Sequence, residues 1–80
     1  MTNQWTESNS FMEKDFVFNS FQQALKFVNK VGKLAEIQNH HPDILMHEYR
    51  KVKITLTTHD NGNKVTPKDH RLAAGIDRLA

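Results

Sequence analysis

The stretch that decides the fold is Ser20–Pro42, SFQQALKFVNKVGKLAEIQNHHP, which predicts one long amphipathic helix with a sharp end. Its apolar residues recur at helical spacing and form one stripe: Phe21, Ala24, Leu25, Phe27, Val28, Val31, Leu34 and Ala35. Asn19 or Ser20 can cap the helix, because either side-chain oxygen can accept from an N–H of the first turn. Pro42 disfavours helical backbone at the residue before it, so we expect the helix to end by about Asn39 or His40.

Strands are predicted on both sides of this helix. The clearest strand follows it and alternates apolar with polar residues: Val52, Ile54, Leu56 and Thr58 against Lys53, Thr55 and Thr57. Its predicted partner is Ile44–Tyr49, joined to it through a tight turn at Arg50-Lys51. Ahead of the helix, Phe11–Phe18 predicts a strand that pairs with a weaker one around Trp5-Thr6-Glu7, since Ser8-Asn9-Ser10 can form the turn.

A second helix is predicted near the C-terminus, with Thr66 as N-cap, Pro67 at the first helical position and Asp69 in the first turn. Its predicted buried residues are Leu72, Ala73, Ile76 and Leu79. The order strand-strand-helix-strand-strand-helix indicates an α+β fold, with one four-stranded antiparallel sheet and helices packed on one face. Such a sheet leaves open edges, and pairing an edge with a second copy is the simplest route to a homodimer.

Length and composition predict one small domain over residues 1–80. A chain of 80 residues buries only about 60% of its unfolded surface, so association with further copies is the expected support. The lack of Cys excludes disulfides and a thiolate zinc site and fits the cytoplasm, where we place the protein. The polar start Met1-Thr2-Asn3-Gln4 predicts no signal or transit sequence, and the longest apolar run, Ile44-Leu45-Met46, is too short to span a bilayer. A net charge of +2 is too small to indicate nucleic-acid binding.

Five His residues are the unusual feature of the composition. Imidazole has the unperturbed side-chain pKa nearest neutrality, so the surplus indicates acid–base or metal chemistry. His40 and His41 lie where the first predicted helix gives way to strand. His59 ends the last predicted strand, and Asp69 lies in the first turn of the second helix. Ends of elements can gather on one rim of a sheet, but periodicity alone does not show that these side chains meet.

Around these residues the chain resembles the pterin-4a-carbinolamine dehydratase family. The family pattern is an acidic residue, then His-His-Pro after three residues, an aromatic residue, a strand ending in Thr-His, and a later Asp. In this chain it corresponds to Glu36, His40-His41-Pro42, Tyr49, Thr57-Thr58-His59 and Asp69. The match runs from about Trp5 to the C-terminus. It departs in two places: many members carry a helix ahead of the position of Trp5, and an aromatic pair where this chain has Ile44-Leu45.

The resemblance implies four antiparallel strands with helices on one face, a dimer formed through the sheet and often a tetramer. It implies dehydration of a 4a-hydroxytetrahydropterin to a quinonoid dihydropterin, which recycles the cofactor of aromatic amino-acid hydroxylases and requires no metal or other cofactor. The implied catalytic residues are His40, His41 and His59, and the implied supporting residues are Glu36 and Asp69. The implied substrate-binding residues are His41, Pro42, Thr57 and Thr58.

These residue types suit the implied reaction. Dehydrating a carbinolamine requires a proton for the leaving hydroxyl and removal of another from the ring nitrogen system, and positioned proton transfer accelerates such steps about 10²–10⁴-fold. A carboxylate such as Glu36 or Asp69 could fix an imidazole tautomer and stabilise its cationic form. Our hypothesis is that His40 and His59 exchange the protons while His41 mainly holds the pterin.

The same residues also fit simpler structural roles. His40 and His41 could merely favour the helix dipole, and His59 could be an ordinary loop residue. Asp69 could serve only as a first-turn residue, and Glu36 could be solvated. No H-E-x-x-H motif is present, and adjacent His side chains tend to diverge, so we expect no metal site.

Two other functions are alternatives to the dehydratase. The first is a non-catalytic protein-binding module on the same fold, acting as a dimerisation or assembly cofactor. A module that had lost catalysis would not need to keep His40, His41 and His59, yet all three are present. The second is nucleic-acid binding through Arg50, Lys51 and Lys53, which rests on weak charge alone and is not expected.

Overall fold

The computed structural model describes residues 4–80, and within them the chain forms four strands, two α-helices and one 3₁₀ turn. The elements in chain order are β1 (Thr6–Glu7), β2 (Met12–Val17), α1 (Phe21–Gln38), β3 (Asp43–His47), β4 (Lys51–Leu56), the 3₁₀ turn (His59–Asn61) and α2 (Pro67–Leu79). This is the predicted α+β order. Residues 1–3, part of the polar start that predicts no signal or transit sequence, lie outside the described residues.

The four strands form one antiparallel sheet in the order β1-β2-β4-β3. The alternation in β4 does what the sequence predicts, because Val52, Ile54 and Leu56 are fully buried while the residues between them face outwards. Phe16 lies opposite Val52 in the register and continues the same buried face. The two helices cover this face, so the predicted fold class is confirmed.

The turn between β3 and β4 lies two residues earlier than predicted. β3 ends at His47, β4 begins at Lys51, and these two residues face each other across the hairpin. Glu48 and Tyr49 make the reversal with φ angles of 47° and 53°. Neither residue type is typical of left-handed backbone, so the sequence lacks the usual Asn-Gly signature of such a turn.

Helix α1 begins and ends as its sequence predicts. The Ser20 hydroxyl accepts from the Gln23 amide at 3.1 Å, and Asn39 ends the helix in left-handed backbone with φ 52°. The wide apolar stripe is only partly buried: Ala24, Phe27, Val31 and Ala35 lie in the core. Phe21 and Leu25 belong to the same predicted stripe but are 51% and 41% exposed. The sheet and α2 cover a narrower arc of the helix than the stripe occupies.

Helix α2 packs closely against α1 around Gly75. A Cβ at Gly75 would lie 2.7 Å from Leu34 Cδ2, so glycine permits the close approach of the two helices. Leu72, Ala73 and Ile76 are buried as predicted, whereas Leu79 is only partly buried. No α-helix within residues 4–80 is long and apolar enough to cross a membrane. The cytoplasmic location stays a prediction.

Candidate active site

A cavity of about 230 Å³ lies at one rim of the sheet, where α1 and β4 end and α2 begins. Its lining residues come from these three element ends and are Asn39, His40, His41, Thr57, Thr58, His59, Asp60 and Lys68. The three histidines singled out in the sequence therefore share one cavity. Sequence periodicity could not establish this meeting of the three side chains.

The carboxylate of Asp69 is the buried anchor behind this cavity. Asp69 is 0% exposed and lies at the third position of α2. One of its oxygens, Oδ1, lies 2.6 Å from His40 Nε2. The other, Oδ2, accepts from the Thr58 hydroxyl at 2.8 Å and from the Thr66 amide at 3.0 Å. Asp69 thus joins the end of α1, the end of β4 and the start of α2.

The pKa of Asp69 is lowered in the folded protein. Burial acts to raise this pKa, but hydrogen bonds from His40, the Thr66 amide and the Thr58 hydroxyl together outweigh it. The carboxylate is therefore ionised at neutral pH and can only accept hydrogen bonds. It follows that His40 donates through Nε2–H, which leaves its Nδ1 as the nitrogen able to exchange a proton.

The two predicted substrate-binding threonines use their hydroxyl groups inside the protein. Thr58 is buried, and its hydroxyl donates to Asp69 while lying 2.6 Å from the Thr66 hydroxyl. Thr57 donates to the Ser10 carbonyl at 2.6 Å. Both residues line the cavity, but their hydroxyl protons are already engaged, so only their oxygens could face a ligand as acceptors.

His41 and Glu36 form a more exposed pair at the mouth of the cavity. The Nε2 of His41 lies 2.5 Å from a carboxylate oxygen of Glu36, which belongs to the last turn of α1. Both side chains are more than half exposed. A contact between side chains this exposed contributes about 0–1 kcal/mol, so it orients the His41 ring more than it stabilises the fold.

His59 opens the 3₁₀ turn directly after β4 and is exposed on the cavity wall. Its Nδ1 lies 2.8 Å from the side-chain carbonyl oxygen of Asn63. All three cavity histidines are thus held through one ring nitrogen by an oxygen, from Asp69, Glu36 and Asn63 respectively.

Other residues of the family pattern lie apart from the cavity lining. Pro42 is half-buried beside His41 and is not one of the described lining residues. Tyr49 lies in the β3–β4 turn, at the opposite end of β4 from His59, and is exposed. The remaining histidines also lie elsewhere, with His47 3.3 Å from Glu48 and His70 3.4 Å from Glu7.

Sequence reasoning missed four residues of this region. The cavity is lined by Asn39, Asp60 and Lys68, and the Asn63 side chain contacts His59 at Nδ1. Asp60 and Lys68 adjoin His59 and Asp69 in the sequence, and that adjacency was the available signal. The described residues contain no group of three or more His, Cys, Asp or Glu placed to hold a metal ion. The expectation of no metal stays a prediction.

Comparison with known proteins identifies the family. A family model described as Pterin 4 alpha carbinolamine dehydratase matches residues 1–79, nearly the whole chain. The chain belongs to this family, as the motif resemblance predicts.

Individual relatives agree with this assignment. A protein of Sulfurisphaera tokodaii named "Putative pterin-4-alpha-carbinolamine dehydratase" is 44% identical over 75 residues, which cover 94% of this chain and 78% of the relative. One from Gloeobacter violaceus, named "Putative pterin-4-alpha-carbinolamine dehydratase 2", is 49% identical over 65 residues, covering 81% of this chain and 68% of the relative.

Solved structures share the fold. A transcriptional coactivator/pterin dehydratase from Brucella Melitensis superposes with a TM-score of 0.85 at 29% identity, over 98% of this chain and 81% of the other. A pterin dehydratase-like protein identified as a RuBisCO assembly factor in the alpha-carboxysome superposes with a TM-score of 0.77 at 26% identity, over 100% of this chain and 90% of the other.

Proposed function

We propose that this protein dehydrates a 4a-hydroxytetrahydropterin to the quinonoid dihydropterin and water, and so recycles the pterin cofactor of aromatic amino-acid hydroxylases. One observation carries the proposal: three imidazoles from distant parts of the chain line a single cavity, each held through one nitrogen by an acceptor oxygen. This arrangement leaves the second nitrogen of each ring for a ligand or a proton.

The reaction needs one group that donates a proton to the leaving hydroxyl and another that removes a proton from N5. The C4a–O bond breaks while the hydroxyl oxygen receives a proton and departs as water. The ring nitrogen N5 loses its proton, and its electron pair forms the new C4a=N5 double bond. Imidazole can donate one of these protons and accept the other at neutral pH, because its own unperturbed pKa lies near neutrality.

His40 and His59 are proposed to carry these two proton transfers. Asp69 stabilises a positive charge on His40, because it presents a buried carboxylate 2.6 Å from Nε2. The Nδ1 of His59 lies 2.8 Å from an amide oxygen, which leaves Nε2 as the ring nitrogen for the substrate. His41, at the mouth of the cavity, is proposed to hold the pterin, with Glu36 fixing its orientation.

The assay that tests this function follows the 4a-hydroxy adduct directly. An aromatic amino-acid hydroxylase generates the adduct, and its optical decay is recorded with and without this protein. We expect catalysed decay that disappears in the His40→Ala, His59→Ala double variant. His47→Ala and His70→Ala are matched controls outside the cavity and should retain the activity. A wild-type protein that is folded but leaves the decay rate unchanged would contradict the proposal.

A second candidate function is protein binding without catalysis. The superposition on the RuBisCO assembly factor supports it, together with Ile44 and Leu45, which are exposed on the open edge strand β3. This function requires neither His40 nor His59 to exchange protons. Unchanged decay of the adduct with a correctly folded protein would favour it over the enzyme.

We also propose that two copies pair through a sheet edge to form a homodimer, which could pair again into a tetramer. The support is that, within residues 4–80, β3 is an edge strand with one side unpaired, and that Leu45 is 54% exposed there. Sedimentation of Leu45→Lys should show a shift to monomer. Val17→Lys, an exposed apolar position on the internal strand β2, should sediment like the wild type. Equal sedimentation of both variants would contradict pairing at β3.

A further inference from the structure

The loop that follows β4 contains His59 and is closed by backbone hydrogen bonds between Thr58 and Lys64. The Thr58 amide donates to the Lys64 carbonyl at 2.9 Å, and the Lys64 amide donates back at 3.4 Å. Inside this small ring the Gly62 amide donates to the His59 carbonyl at 3.1 Å. The backbone therefore returns to its own starting point and brings Asn63 beside the His59 side chain.

Asn63 adopts a conformation that suits this contact. Its φ angle of 60° lies in the left-handed region, which asparagine enters more readily than most other residues. From there its side-chain oxygen reaches to 2.8 Å from His59 Nδ1. Because an amide oxygen only accepts, His59 carries its proton on Nδ1 when the ring is neutral.

We infer that Asn63 is a positioning residue that holds His59 in the Nδ1–H tautomer, with Nε2 as its proton-exchanging nitrogen. The inference rests on the proposed dehydratase function and adds to it a residue that the histidine motif does not contain. Asn63 is neutral, in contrast to the carboxylate that anchors His40, so it orients the His59 ring without bringing a negative charge beside it.

The first measurement reads the tautomer itself. Long-range proton–nitrogen NMR spectra of the full chain, recorded at alkaline pH where imidazole rings are neutral, report which ring nitrogen carries the proton. We expect the Nδ1–H form in the wild type and mainly the Nε2–H form in Asn63→Gly. Glycine adopts left-handed backbone freely, so this variant removes the side chain and keeps the loop.

The second measurement is a rescue. Asn63→Asp keeps an acceptor oxygen in a residue that also tolerates left-handed backbone, and adds a negative charge. It should restore the Nδ1–H tautomer, since a carboxylate oxygen, like an amide oxygen, accepts from the ring N–H. The other titratable groups that line the cavity are His40, His41, Asp60 and Lys68, and they are unchanged in both variants.

Activity then connects the tautomer to catalysis. We expect kcat to fall about 10- to 100-fold in Asn63→Gly, the range seen when partners that orient metal-bound histidines are removed. In Asn63→Asp, kcat should recover towards the wild-type value, because the acceptor oxygen is restored. Asn39→Gly is the matched control for the spectra, because Asn39 is also left-handed on the same cavity but is not bonded to His59.

The outcomes separate this inference from the proposed function. An unchanged His59 tautomer in Asn63→Gly overturns the inference, as does a changed tautomer with unaltered kcat in an active enzyme. A wild-type chain without dehydratase activity overturns the proposed function, and the NMR spectra then decide alone whether Asn63 holds the ring.

Discussion

His40 and His59 face the same cavity, but the molecule holds them in different ways. The side chain of His40 is 12% exposed and is anchored to a buried carboxylate that also binds Thr58 and Thr66. His59 is exposed and is held by one neutral amide from its own loop. One half of the proposed machinery is therefore part of the core network, while the other half depends on a surface loop.

Because of this difference, changes at His40 and at His59 should have different effects on stability although both affect the proposed activity. A change at His40 alters the proposed chemistry and also leaves a buried charge without its partner. A change at His59 alters the proposed chemistry and little else. The two ends of the cavity should consequently respond alike in the assay and differently in unfolding experiments.

The largest expected effects come from the two alanine variants of these histidines. Each of His40→Ala and His59→Ala should lower kcat by about 10²–10⁴-fold, the usual contribution of positioned proton transfer. His40→Ala should also lower the free energy of unfolding by about 1–3 kcal/mol, whereas His59→Ala should change it by less than about 0.5 kcal/mol. Urea unfolding of both variants checks this, and equal destabilisation would contradict the comparison.

Asp69→Asn tests the anchor of His40. An amide cannot accept from all three donors that surround Asp69, so we expect a loss of about 1–3 kcal/mol in the free energy of unfolding. Asp77→Asn is the matched control, because Asp77 lies on the same helix and accepts from Trp5 and Lys14 at the surface. It should cost less than about 1 kcal/mol. Similar losses in the two variants would show that burial of Asp69 is unimportant.

The pH dependence of the unfolding free energy should show the contribution of Asp69. Since folding lowers the pKa of Asp69, the carboxylate contributes stability that is fully present above its unfolded pKa of about 3.9. That stability is lost as the pH falls through the lower folded pKa. Wild-type unfolding free energy should therefore decline more steeply below about pH 4 than that of Asp69→Asn. The pKa of Glu48, which Lys51 lowers at the surface, affects both proteins equally. Parallel acid curves would contradict the prediction.

The smallest effect is expected at the mouth of the cavity. Glu36→Gln keeps an acceptor for His41 and removes only an exposed charge. We expect kcat/KM to fall by less than about fivefold and stability to stay within about 1 kcal/mol of the wild type. Steady-state kinetics and urea unfolding measure both, and a loss as large as that of His40→Ala would mean that Glu36 takes part in the chemistry.

Much of this architecture could be predicted from patterns along the chain. Alternation identified β4, and Ser20, Asn39 and Pro42 marked the ends of α1. The histidine motif pointed to the residues of the cavity, but local patterns carry no distances, so their meeting required the fold. The full burial of Asp69 depends on three elements packing around it. Sequence patterns did not identify Asn63, because composition indicates only that its segment is a loop. Its proposed contact with His59 depends on a left-handed φ angle, which composition does not give.

A kinetic double-mutant cycle tests the central claim most directly. The decay rate of the 4a-hydroxy adduct is measured with the wild type, His40→Ala, His59→Ala and the double variant. If both imidazoles serve one reaction in one cavity, the loss in the double variant should be far smaller than the product of the two single losses. Losses that multiply, or single variants as active as the wild type, would contradict the account.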